Sequence, residues 1–170
     1  MRYLLASAFL FLLVNNLLAQ HPRNFSGKWS GQLTIYGAMD KSTTVPMQLN
    51  VSSKDSAGVY SWQLIYGDSG KDIRAYELVP VDTLVGKWNV DEKNGIVISG
   101  IFRGNNFITS FEVQGTRITM IYSLQGDTMV VEVIAGTDTG ILTSGKGTED
   151  VPTVTSYGVN SYQRAELKRQ

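Results

Sequence analysis

Apolar and polar residues alternate in short runs from about residue 26 to about residue 136, and turn-forming residues separate these runs. In the run KWSGQLTIY, Trp29, Leu33 and Ile35 fall on one face, and polar residues occupy the other. Alternation with a period of two is typical of a β-strand with one buried face, and no part of this stretch has the apolar period of an amphipathic helix. The pattern predicts an all-β protein.

The turns predict an antiparallel meander. The pair Asn94-Gly95 lies between two alternating runs and is typical of a tight hairpin turn. Nine strands fit between residues 26 and 136, and the run TVTSYGVNSYQRAEL supplies a tenth after a predicted loop from Gly136 to Pro152. Turns of a few residues join antiparallel neighbours. A meander of eight to ten strands hides its edges by closing into a barrel, with an open sandwich as the main alternative.

The segment NFSGKW at the start of the first strand, followed by such a meander, resembles the lipocalin and calycin barrels. These barrels begin with a G-x-W motif, which Gly27 and Trp29 match. The resemblance implies that Trp29 closes the narrow end of a barrel. It also implies that an arginine near the last strand packs over the indole, and Arg164 is the expected arginine.

The first nineteen residues are expected to be a signal peptide. Arg2 precedes the apolar run Leu4 to Val14, and the segment ends in Ala19. The run is shorter than the roughly 20 residues of a membrane-spanning helix, and no second such run follows, so no transmembrane segment is predicted. Residues 20–170 have a suitable length for a single domain. We expect an exported protein, periplasmic or secreted.

Composition narrows the function. The chain carries 15 basic and 15 acidic residues, and its lysines are scattered, so no nucleic-acid partner is expected. It has no cysteine and a single histidine, His21 near the predicted mature N-terminus. Disulfides, a thiolate or histidine metal site and histidine-based nucleophilic catalysis are therefore not predicted. We expect no cofactor, no metal and no enzymatic activity.

Large side chains on the apolar faces of the central strands are the candidate ligand-binding residues. They can simply fill a core, or they can line a cavity in which tyrosine hydroxyls and an arginine supply polar contacts. The candidate set is Tyr60, Trp62, Tyr66, Arg74, Tyr76, Phe102, Phe107, Phe111, Met120 and Tyr122.

Three functions remain open from the sequence. The first is a barrel that binds a small apolar or amphipathic molecule without altering it. The second is a fully packed barrel that binds a protein through its loops, such as an exported inhibitor or an envelope component. The third is an enzyme that isomerises or hydrolyses a lipid or pigment with tyrosines and carboxylates alone.

Overall fold

The computed structural model describes residues 21–37, 41–54 and 58–170. The predicted signal peptide lies outside these residues, so that assignment stays a prediction. The described part of the chain contains two short 3-10 helices, Pro22–Phe25 and Thr83–Val85, and ten strands. The strands are β1 Gly27–Tyr36, β2 Ser42–Ser53, β3 Tyr60–Tyr66, β4 Asp72–Asp82, β5 Lys87–Asp91, β6 Val97–Arg103, β7 Asn106–Val113, β8 Thr116–Gln125, β9 Thr128–Ser144 and β10 Val154–Arg169.

The ten strands form a closed antiparallel barrel, which confirms the predicted fold class. Each strand pairs with the next along the chain, and β1 pairs with β10 to close the sheet. The closing ladder runs from Trp29 opposite Arg169 to Tyr36 opposite Tyr162. Closure removes the free edges that an open meander would leave at its first and last strands.

The alternation read from the sequence corresponds to the inner and outer faces of this barrel. Along β1, Trp29 and Leu33 are buried while Lys28 and Gln32 are exposed. The hairpin turn predicted at Asn94-Gly95 joins β5 to β6. Its positive φ angles occur at Lys93 and Gly95. The period of two therefore predicted which side of the sheet faces inward.

The predicted loop from Gly136 to Pro152 is wrong over its first half, because β9 continues to Ser144. β9 pairs with β8 only as far as Thr137, and β10 joins β1 only from Tyr162. Residues 138–160 therefore form a two-stranded hairpin that extends beyond the barrel, which we call the arm. Several large apolar side chains of the arm are exposed: Ile141, Leu142, Val151, Val154, Tyr157 and Val159.

Candidate ligand-binding cavity

One end of the barrel is packed with side chains and the other end is open. The open half holds a cavity of about 630 Å³. Residues from all ten strands line it, among them Ile98 of β6, Val133 of β9 and Gln163 of β10. β9 and β10 continue past this mouth into the arm. The cavity has the size and the concave shape typical of small-molecule sites.

Trp29 lies at the closed end and is fully buried. Its indole N–H donates to the Phe25 carbonyl at 2.8 Å, so the short helix before β1 acts as a plug under the barrel. Gly27 has φ 138, a region that favours glycine, and a Cβ at this position would overlap the Arg169 guanidinium. Gly27 and Trp29 thus both lie at the closed end of the barrel.

The predicted stacking arginine is wrong by five residues. The guanidinium of Arg169, not that of Arg164, lies over the Trp29 ring, with its carbon 4.0 Å from the ring centroid. Arg164 points outward and pairs with Glu166 at 2.7 Å. The reason is parity: on β10, Ala165 and Leu167 are buried, so residue 169 shares the inner face and residue 164 does not.

His21 packs against the same closed end. Its ring contacts the rings of Tyr60 and Trp88 edge-on, at 5.6 and 5.3 Å between centroids. Its Nδ1 accepts a hydrogen bond from the Arg23 backbone N–H at 3.2 Å, which caps the helical plug. Burial and the neighbouring charge of Arg23 lower the pKa of His21. These contacts give the histidine a structural role.

An aromatic layer separates the packed end from the cavity and forms its floor. Trp62 contacts the rings of Phe107 and Tyr122, at 5.6 and 5.0 Å between centroids. Burial in this layer raises the pKa of Tyr122. Thr109 lies beside this layer and is 4% exposed, the single buried polar residue in the described part of the chain.

The charged residues of the cavity lie at its mouth. Arg74 and Asp72 at the start of β4 form an ion pair at 3.4 Å, and both side chains are about half exposed. The Arg74 guanidinium lies 5.3 Å from the ring centroid of Tyr66 at the end of β3. Burial raises the pKa of Tyr66 to about 12, so its hydroxyl stays protonated at neutral pH. Glu92 completes the charged set.

The structure brings eight of the ten predicted side chains to one cavity. The other two, Tyr60 and Phe102, lie in the packed end, where Phe102 contacts Phe25 and Trp88, so they do not line the cavity. A second arginine of the central strands, Arg103 at the end of β6, does not line the cavity and donates to the Val85 carbonyl. Whether the eight bind a ligand stays a prediction. They are Trp62, Tyr66, Arg74, Tyr76, Phe107, Phe111, Met120 and Tyr122.

Sequence reasoning missed the smaller residues of the lining. Most are aliphatic and lie on the inner face of their strands, so strand parity could have found them. Thr109 was the hardest to find, because a threonine at an inward position is readily taken for an ordinary strand residue. The missed residues include Leu33, Ile35, Val45, Leu64, Val90, Glu92, Ile98, Thr109, Ile118, Val133 and Gln163.

Across residues 21–37, 41–54 and 58–170, no cluster of histidine, cysteine or acidic side chains could hold a metal ion. No helix within these ranges has the length and apolar character needed to cross a membrane.

Two solved structures have a similar barrel. One is a protein of unknown function from the DUF3598 family of Nostoc punctiforme PCC 73102, with a TM-score of 0.61 and 12% identity. The alignment covers 87% of this chain and 48% of that one, so this chain spans about half its length. The other is the S-type phycobiliprotein lyase CPES from Guillardia theta, with a TM-score of 0.53, 10% identity, and coverage of 91% and 97%.

No protein-family model matches the chain, and no curated protein matches it in sequence. At identities of 10 and 12%, the likeness to the two structures concerns the fold alone. Both are lipocalin-like calycin folds, which agrees with the general resemblance predicted from the G-x-W segment and the meander.

Proposed function

We propose that this protein binds a small apolar or amphipathic molecule inside its barrel and releases it chemically unchanged. The single observation that carries the proposal is the cavity of about 630 Å³ in the open half of the barrel. A fully packed barrel would bury the same aromatic side chains without leaving such a space.

The distribution of polar groups supports an amphipathic ligand. The walls are mainly apolar, and the charged side chains Asp72, Arg74 and Glu92 lie at the mouth. A molecule that enters with its apolar part first would keep its polar part at the rim, where water and these charges can contact it. We further propose that the mature protein works outside the cytoplasm, since residues 1–19 have the pattern of a signal peptide.

The fold likeness supports the proposal in a limited way. One similar structure is an S-type phycobiliprotein lyase. The barrel of the present chain therefore belongs to an architecture that is compatible with a small molecule in its interior. The chemistry of that lyase does not carry over at 10% identity.

The proposal is tested with two fluorescent probes, the hydrocarbon diphenylhexatriene and the amphipathic anion anilinonaphthalene sulfonate. We expect saturable binding of at least one probe to the mature protein. Val133 lines the cavity, and a tryptophan in its place would fill part of the space. The variant Val133→Trp should weaken binding by about tenfold or more, because the ligand loses its volume.

Ile134→Trp is the matched control. Residue 134 is the next along β9, is 37% exposed, and lies on the opposite face of the sheet. This variant should bind the probes like the native protein. Equal weakening by both substitutions, or the absence of any saturable binding, would argue against a ligand in the barrel. As an independent check, native mass spectrometry of protein purified from its own host should show a small molecule that travels with it.

A second function is favoured by a separate observation, the exposed apolar side chains of the arm. Patches of this kind are often sites of protein contact. In that case the loops and the arm would bind a protein partner, and binding of the fluorescent probes would not report on this function. If shortening the arm abolishes binding of a protein partner, while Val133→Trp leaves that binding intact, the result would favour this second function.

A further inference from the structure

The cavity floor carries polar groups that a plain hydrocarbon cannot satisfy. Thr109 lines the cavity and is 4% exposed, and its hydroxyl has no hydrogen-bond partner among the described residues. In this part of the chain, the one side-chain atom that is sealed off without a partner is the Trp88 indole nitrogen. The Thr109 hydroxyl also has no partner within the described ranges but is not among the sealed-off atoms, so some of its surface is accessible. Because Thr109 lines the cavity, we infer that this surface faces the cavity.

Tyr122 provides a second hydroxyl at the floor. The Tyr122 side chain is buried and lines the cavity, and a phenol hydroxyl both donates and accepts hydrogen bonds. It can therefore donate to an acceptor on a bound molecule. Phe107 pairs with Tyr122 and Thr109 pairs with Met120 between β7 and β8, so Thr109 and Tyr122 are diagonal neighbours on the inner face.

Among the described residues that line the cavity, none at the floor carries a positive charge. The one cation of the lining, Arg74, lies at the mouth, where Asp72 already pairs with it. A carboxylate at the floor would lose its water without gaining a counter-ion, which is strongly unfavourable. A neutral oxygen, in contrast, can accept hydrogen bonds from the hydroxyls of Tyr122 and Thr109. If it belongs to a hydroxyl group, it can also donate one to Thr109.

We propose that the ligand carries an uncharged hydrogen-bonding oxygen, such as a ketone or a hydroxyl, at the end that enters the barrel first. This inference rests on the proposed function, since it names the chemistry of a ligand in the same cavity. The ligand class is then an apolar compound with an uncharged oxygen at the end that enters first and a polar group at the other end. A simple fatty acyl chain would place a methyl group against the two hydroxyls and leave them dehydrated and unpaired.

The test compares fluorenone with fluorene, which have the same three-ring shape and differ in a ketone oxygen. Each compound displaces diphenylhexatriene from the mature protein, and the two inhibition constants are compared. We expect fluorenone to bind about three- to tenfold more tightly, as one or two hydrogen bonds predict. The Trp62 indole N–H signal in an amide NMR spectrum should also shift more with fluorenone, because the Tyr122 ring, 5.0 Å from the Trp62 ring between centroids, then donates its hydroxyl proton to the ketone.

Variants assign the preference to the floor. Thr109→Val keeps the shape of the side chain and removes the hydroxyl, and Tyr122→Phe does the same for the phenol. Together they should bring the affinity ratio to about one, mainly by weakening fluorenone. Thr119→Val is the control, because Thr119 bonds to Ser110 on the outer face and should leave the ratio unchanged.

The outcomes separate this inference from the proposed function. A ratio near one in the native protein would overturn the inference, and so would a ratio that survives in the double variant. Failure of both tricyclic compounds to displace a bound probe would also overturn it, while the binding function would stand. If neither diphenylhexatriene nor anilinonaphthalene sulfonate binds, the proposed function itself fails and the inference falls with it.

Discussion

Arg169 covers the indole of Trp29 although 140 residues separate them along the chain. Its guanidinium carbon lies 4.0 Å from the ring centroid, and one of its nitrogens donates to the Ser26 carbonyl at 2.6 Å. The two residues are also register partners in the ladder that closes the barrel. This contact ties the last strand to the first and to the plug that seals the closed end.

Replacing Arg169 with alanine should destabilise the protein by about 1–3 kcal/mol, because both the cation–π contact and a charged hydrogen bond are lost. Arg164→Ala should cost less than about 1 kcal/mol, since Arg164 forms a surface ion pair with Glu166. Denaturant unfolding of the two variants gives both free energies. Equal losses would show that the Trp29 contact contributes no more than an ordinary surface pair.

Gly100 is expected to tolerate no side chain. A Cβ at this position would overlap the Phe107 ring, which itself packs on Phe102 at 4.6 Å between centroids. Gly100→Ala should therefore cost about 1–3 kcal/mol through overpacking. Ser99→Ala, on the neighbouring exposed position, should change the free energy of unfolding by less than about 0.5 kcal/mol. A neutral Gly100→Ala would mean that the aromatic layer can shift.

Tyr66 should make the fold sensitive to alkali. Its ordinary pKa is 10.0, and burial raises the pKa in the folded protein to about 12. Above the lower value the unfolded chain loses this proton while the folded chain keeps it. The stabilisation is complete below about pH 10 and is lost as the pH rises to about 12. Denaturant unfolding across this range should show a shallower decline for Tyr66→Phe, and parallel declines would contradict the assignment.

The arm should open far more readily than the barrel. Its two strands pair only with each other, and an isolated two-stranded hairpin is marginal in water. The cation–π contact of Arg117 with Tyr157, at 3.9 Å, holds only its base. In hydrogen exchange, arm amides should exchange on the order of 100-fold faster than those of β1 and β2. Equal protection would mean that another molecule covers the arm.

Much of the architecture could be predicted because successive side chains of a β-strand point to opposite faces, so buried and exposed residues alternate along the sequence. Turn pairs such as Asn94-Gly95 marked the connections, and the alternation around Trp62 and Tyr122 marked the inner face. Closure followed from strand number and short connections. The long end of β9 was missed, because six of the eight residues of TDTGILTS are Thr, Ser, Asp or Gly and its partner strand lies ten or more residues further on.

The division between core and cavity could not be read from the sequence. Tyr60 and Phe102 have the same alternation as Trp62 and Phe107, yet the first two are enclosed in the packed end. The difference depends on the plug, which places Phe25 against Phe102 at one end of the barrel and leaves the other end unfilled. Alternation specifies which face of the sheet a residue lies on. It does not specify how far along the barrel axis that residue lies.

The sequence by itself determined the strands, their inward faces and the position of the G-x-W segment, since each depends on neighbours within a few residues. The tertiary structure decided that Arg169 rather than Arg164 meets Trp29, and that Thr109 and Tyr122 share one floor. These relationships depend on the register between strands that are distant along the chain. A shift of one residue in that register would turn each of these side chains to the other face.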